Sequence, residues 1–358
     1  MSFPATRLRR LRQNRSFRRL VRETTISIDD FIMPLFVVPG RAVKKEISAL
    51  PDNYHLSIDC LVEEAKEIRD LGISAILLFG VPDASEKDER ASGASSPDGL
   101  VQRAVRALKS EVPDLLVITD VCLCEYTSHS HCGLLKSGYL INDPSLELLA
   151  KTAVSHAEAG SDMVAPAAML DGQIHALRQA LDGSAFENMP IMAYSCKMAS
   201  HLYDPFFHEG RQSTLASGDK RTHQMSISNS NEAMREIALD VEEGADIVMV
   251  KPGLFCLDII YRAKQQFQLP IAAYNVSGEY AMIDAAAKLG RLDRDTMLYE
   301  CMASMKRAGA DIIITYAAKQ AAKRLRRRQE FVTVFAKDGD LERTCDLSQG
   351  SEVLERNR

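Results

Sequence analysis

G-A-D-I-V-M-V-K-P, Gly244 to Pro252, compresses one structural unit into nine residues. A glycine stops a helix in a positive-φ conformation, Ala-Asp turns the chain, an apolar run makes a strand, and a single Lys ends it. The same opening recurs at Gly160-Ser161-Asp162 and Gly309-Ala310-Asp311, and Gly72 marks another helix stop. Working outward, eight apolar runs alternate with amphipathic stretches, at 31–38, 75–81, 115–123, 162–168, 190–195, 246–251, 271–276 and 311–316. Their near-continuous β-branched composition is that of strands covered on both faces. Helical stretches lie between them, for example at 61–71, 145–159, 231–243 and 257–267. Eight such units predict an α/β fold, a (β/α)8 TIM barrel. An open doubly wound sheet is the alternative, but no G-x-G-x-x-G follows the first strand. The chain divides into an N-terminal arm (1–30), the barrel (31–328) and a polar tail (329–358).

Two runs end in lysine: M-A-Y-S-C-K at Met192–Lys197 and I-V-M-V-K-P at Ile247–Pro252. In a barrel these are the C-terminal ends of strands five and six, where catalytic groups stand. Adjacent strands lie about 5 Å apart, so the two amines share one pocket. Burial beside a second amine lowers a lysine pKa, and the neutral amine is what forms a Schiff base. A lone strand-end Lys more often snorkels to solvent; the pairing is what favours chemistry here.

Strand three runs into D-V-C-L-C-E-Y-T-S-H-S-H-C-G, Asp120–Gly133. Cys122 and Cys124, two apart, would share a strand face, and Cys132 can fold back from the loop to complete a thiolate trio. Thiolates select zinc, and three protein ligands leave a fourth position open, as catalytic zinc requires. His129 and His131 are candidate fourth ligands that would instead close the site. Asp120, at the same strand end, is placed to orient an ammonium or relay protons.

Composition sets the frame. Hydrophobic content of 46%, charged content of 26% and a net charge of -5 describe a globular chain with no general pull toward nucleic acid. No apolar run of membrane-spanning length and no secretory signal are visible. Eight cysteines, three of them clustered, suit a reducing compartment, so the expected location is cytoplasmic. Eight Arg precede the first acid, Glu23, interleaved with Leu8, Leu11, Phe17, Leu20 and Val21. An organelle-targeting peptide is one reading; an arm docking on a neighbouring subunit is favoured. The long stretches 125–143 and 200–229 follow strands three and five, and the second reads as a lid.

On these residues the chain resembles the porphobilinogen synthase (5-aminolevulinate dehydratase) family, from roughly residue 5 to 325. The motifs that carry the resemblance are Asp120–Gly133, A-Y-S-C-K-M-A-S at Ala193–Ser200, M-V-K-P at Met249–Pro252, A-Y-N-V-S-G-E-Y-A-M-I at Ala273–Ile283 and K-R-A-G-A-D-I-I-I-T-Y at Lys306–Tyr316. The resemblance implies condensation of two 5-aminolevulinates to porphobilinogen and two waters, a step of heme and other tetrapyrrole biosynthesis. It implies a Schiff base from Lys251 to the first substrate and from Lys197 to the second, with Asp120 assisting proton transfer. Zinc on Cys122, Cys124 and Cys132 would act as a Lewis acid. Ser277 and Tyr316 match positions that hold the first substrate's carboxylate, Tyr274 is a further substrate-binding position, and Tyr203, Phe206, Lys220 and Gln224 match a lid over the second. It further implies a homo-octamer with wrapping arms, and an activating magnesium at Glu236, otherwise a solvated helix-face acid. Three positions depart from the family. Phe207 stands where a lid arginine is usual, with Arg211 or Arg221 as replacement clamps, and Ala167 and Ala168 replace polar residues after strand four. Two other readings are a Schiff-base enzyme for a different keto acid and a metal-binding oligomer without activity.

Overall fold

The computed structural model describes residues 2–203, 206–210 and 219–337, except the side chains of 207, 208 and 328–337. Arg211, the Phe207 side chain and the tail beyond residue 337 therefore lie outside the described residues.

The barrel strands are β1 Phe31–Val37, β2 Ala75–Gly80, β3 Leu116–Val121, β4 Met163–Pro166, β5 Met192–Lys197, β6 Ile247–Lys251, β7 Ile271–Asn275 and β8 Ile312–Thr315. They hydrogen-bond in parallel in the order 4-3-2-1-8-7-6-5. The seam between β4 and β5 is joined by a bridge at Val164 and Ile191, with Val164 N donating to Pro190 O at 3.1 Å. The (β/α)8 expectation is therefore met. All seven residues of β1 are buried, as are the six of β2, because lumen and helices cover opposite faces. The surrounding helices include Asn142–Glu158 after β3, Ser230–Glu242 after β5, Leu257–Phe267 after β6 and Ser277–Lys288 after β7. The last, Ala318–Lys337, runs past residue 328, where the sequence suggested the barrel would end.

The repeated Gly-x-Asp phrase works as a physical clip. Gly160, Gly244 and Gly309 adopt φ of +98°, +104° and +123°, which a side chain would strain. The following aspartates then accept a backbone N–H from the start of the preceding strand segment. Asp162 Oδ2 accepts from Val117 at 2.8 Å, Asp246 Oδ2 from Ile191 at 2.8 Å and Asp311 Oδ2 from Ile271 at 2.8 Å. Lys109 and Lys264 pair with Asp162 and Asp311 at 2.9 and 2.7 Å. The N-terminal end of the barrel is thus tied together in pairs, β3 to β4, β5 to β6 and β7 to β8.

A hairpin not visible in the hydropathy follows β1: Lys44–Ile47 and Leu50–Leu56, antiparallel to one another. Its second strand adds to the end of β1 through Phe36–His55 and Val37–Leu56. The arm carries a short helix, Arg15–Leu20, and exposes Phe3, Leu8 and Leu20 at 73%, 74% and 80%. No described helix is long and apolar enough to cross a membrane.

Candidate active site

Lys197 and Lys251 end neighbouring strands as Cα register partners. A register shift between Val248 and Val250 puts them level. Val248 pairs with Ala193 but Val250 pairs with Cys196, so β5 holds one residue more. Without this bulge, strict alternation would put Lys197 and Tyr194 on opposite faces. With it, both amines meet the same ring: Lys197 Nζ lies 5.5 Å and Lys251 Nζ 5.3 Å from the Tyr194 centroid. Tyr194 was not singled out from sequence, because period-two reasoning gives it no reason to face Lys197.

Both lysines are buried, 5% and 6% exposed. Lys251 Nζ is also 4.3, 5.0 and 5.2 Å from the rings of Tyr274, Tyr203 and Phe206. The Tyr274 and Tyr316 hydroxyls are 3.2 Å apart, Tyr203 OH donates to Lys251 O at 3.0 Å, and Ser277 Oγ donates to Leu202 O at 3.0 Å. Burial pushes the Tyr203 and Tyr274 phenols up, and at Tyr274 the charge of Asp120 adds to the effect of Tyr316 and Tyr194. Asp120 is itself buried on β3, in register with Ala165 of β4. Lys197 Nζ donates to the backbone carbonyl of Ala167 at 2.5 Å.

The thiols of Cys122, Cys124 and Cys132 are all buried and lie within 4.8 Å of one another, with Cys122 and Cys124 at 3.1 Å. The reason differs from the expected one. β3 ends at Val121, so strand pitch does not align the pair. A turn follows at once, with Tyr126 N and Thr127 N both donating to Leu123 O at 2.9 Å, and it carries Cys124. Ser130 at φ +61° then helps reverse the loop and bring Cys132 back. Hydrogen bonds from Cys122 and Cys124 hold the Cys132 thiol well below its usual range, with Lys220 and Lys197 adding to this; burial pushes Cys122 up. Lys220 Nζ is 3.6 Å from Cys132 Sγ. A compact, buried trio of sulfurs carrying a stabilised thiolate fits a soft or borderline cation.

The segment carrying Lys220 and Gln224 is held against the end of β5: Met225 N donates to Lys197 O at 3.1 Å and Ala199 N to Met225 O at 2.7 Å. Phe206 closes the other side, 5.5 and 5.2 Å from the rings of Phe36 and Phe79. Glu236 is not in this pocket. It lines a cavity of about 270 Å³ together with Asp171, Glu232, Arg221, His223 and Gln224. Burial, then Asp171 and Glu232, pushes its carboxyl up. His223, held to about 3 by burial and the nearby Lys220 and Lys197, was another residue the sequence did not flag.

Fold and site together define a barrel enzyme with its reaction centre at the C-terminal strand ends. The delta-aminolevulinic acid dehydratase family model matches residues 5–324. Proteins named delta-aminolevulinic acid dehydratase from Synechocystis and Bacillus subtilis are 54% and 48% identical; each alignment covers 90% of this chain, and 98% and 99% of theirs. A solved Toxoplasma gondii delta-aminolevulinic acid dehydratase (porphobilinogen synthase), in complex with the product porphobilinogen, superposes with TM-score 0.89 at 42% identity, covering 92% of this chain and 94% of that one. The chain belongs to the delta-aminolevulinic acid dehydratase family, and is an enzyme of the hydro-lyase class.

Proposed function

We propose that the protein condenses two 5-aminolevulinates to porphobilinogen, with Schiff bases on Lys251 and Lys197. The register pairing of the two lysines across one tyrosine ring carries this reading. Each amine adds to a substrate ketone and expels water, which accounts for both waters lost. A C–C and a C–N bond then form between the two molecules, and both lysine amines are released as the pyrrole closes. Asp120 takes or returns protons beside Lys197. Tyr274, Ser277 and Tyr316 line the first-substrate side at Lys251, and Tyr203, Phe206, Lys220 and Gln224 form the lid over the second, with the Tyr203 and Phe206 rings also 5.0 and 5.2 Å from Lys251 Nζ. Cys122, Cys124 and Cys132 would hold zinc, which supplies Lewis acidity toward the second substrate. The convergence of Glu236, Glu232 and Asp171 supports a magnesium site there. The exposed apolar side chains of the arm support a homo-octamer in which arms cover neighbouring copies. A cytoplasmic location accords with this thiol-dependent chemistry.

Purified protein given zinc and 5-aminolevulinate should yield a pyrrole that reacts with an acidic aldehyde reagent. No pyrrole under those conditions overturns the reading. Borohydride should trap 5-aminolevulinate in preference to other keto acids, which separates this activity from a different Schiff-base reaction.

A further inference from the structure

The hairpin after β1 touches the pocket from two directions. On one side its tip grips the segment that carries Phe206. The Glu209 carboxylate accepts from Ala49 N at 2.6 Å and from Ser48 Oγ. The adjacent Gly210 carbonyl lies 2.5 Å from His55 Nε2, on the hairpin's second strand. His55 is 3% exposed and its pKa is lowered by burial, so the neutral ring donates from Nε2. Gly210 fits closely, since an added Cβ would stand 3.3 Å from the Phe36 ring. On the other side, Tyr280 OH donates to Pro51 O at 2.7 Å, and Asn53 Nδ2 donates to Tyr316 O at 3.4 Å. The hairpin therefore connects the Phe206 segment to the tyrosine wall of the Lys251 pocket.

We propose that the Lys44–Leu56 hairpin is a clamp for the lid and that Glu209 is the positioning residue through which it acts. Glu209 touches no reacting atom. It fixes residues 206–210 so that the Phe206 ring stays over Lys251 and against Phe36 and Phe79, closing the pocket behind the substrate. The hydrogen bonds to a charged acceptor make the grip stronger than a neutral contact would be. This assignment rests on the proposed Schiff-base reaction for its consequence, but its geometry can be tested without turnover.

The test uses the full-length, zinc-loaded protein and three variants, Glu209→Ala, Glu209→Gln and Ser48→Ala. Amide hydrogen exchange over residues 206–210 should speed up by roughly tenfold or more in Glu209→Ala, which loses both hydrogen bonds to the carboxylate. Glu209→Gln, which keeps one acceptor oxygen, should recover part of that protection. Ser48→Ala, which leaves the Ala49 donor, should change it by about twofold. In turnover, Glu209→Ala should raise KM for 5-aminolevulinate several-fold and leave kcat within about twofold. Unchanged exchange in Glu209→Ala overturns the clamp. Faster exchange with an unchanged KM overturns the positioning role. A wild-type enzyme that makes no pyrrole sinks the proposed reaction instead, while the exchange comparison still decides the clamp.

Discussion

The two ends of the barrel treat charge in opposite ways. At the N-terminal end, Asp162, Asp246 and Asp311 are each satisfied by a neighbouring strand amide at 2.8 Å, and two of them also by a lysine. At the C-terminal end, two buried lysines face aromatic rings and a backbone carbonyl, and three thiols crowd within 4.8 Å. The first arrangement stabilises and is repeated by a short local phrase. The second gathers reactive groups in one buried place and occurs once among the described residues. Such groups stand at the C-terminal strand ends, where a barrel places its chemistry.

Substitutions at the two ends should therefore fail differently. Lys251→Met should lower turnover by roughly a thousandfold or more while the protein stays folded, read from pyrrole formation and from loss of the borohydride adduct by mass. Cys124→Ala should lower zinc content and rate together. Outer-shell partners of a metal cost 10–100-fold, so a ligand should cost no less than about a hundredfold, checked by metal analysis beside the assay. A rate indifferent to chelators would break the metal half of the comparison.

Asp311→Ala acts at the other end. It removes the acceptor for Ile271 N and the partner of Lys264. Stability should fall by about 2 kcal/mol, with activity per folded molecule kept. Loss of activity without loss of stability would show that the ends are not separable.

Asp240 sharpens the comparison between them, on the helix outside β5. Burial pushes its carboxyl up to about 7, against a hydrogen bond from Ser195 that lowers it. A raised carboxyl favours folding below its unfolded value of about 4, and that contribution is lost as pH rises toward 7. Asp240→Asn should flatten this part of the stability profile, measured as urea midpoints at pH 5 and 8. It is the smallest of these effects, since other carboxyls also titrate in the window.

The regular part of the molecule was readable because it is local. Seven strands of the barrel each lie within a run marked by apolar composition and β5 overruns its run by two residues to reach Lys197, and the Gly-x-Asp phrase marks where three of the strands begin. The hairpin was not readable: K-K-E-I at Lys44–Ile47 has no strand-like hydropathy and is a strand only through its pairing with Leu50–Leu56. The thiol trio was expected from strand alternation, but β3 ends at Val121, before Cys122 and Cys124 come together at 3.1 Å.

The sequence by itself determined the eightfold alternation, the two lysines and the three thiols, because composition and short spacings act through neighbours along the chain. The tertiary structure alone decided which faces met. One additional residue in β5 sets Lys197 level with Lys251 and turns Tyr194 between them. Register is a property of two strands together: a one-residue slip reverses every side chain beyond it, and no pattern within either strand records it.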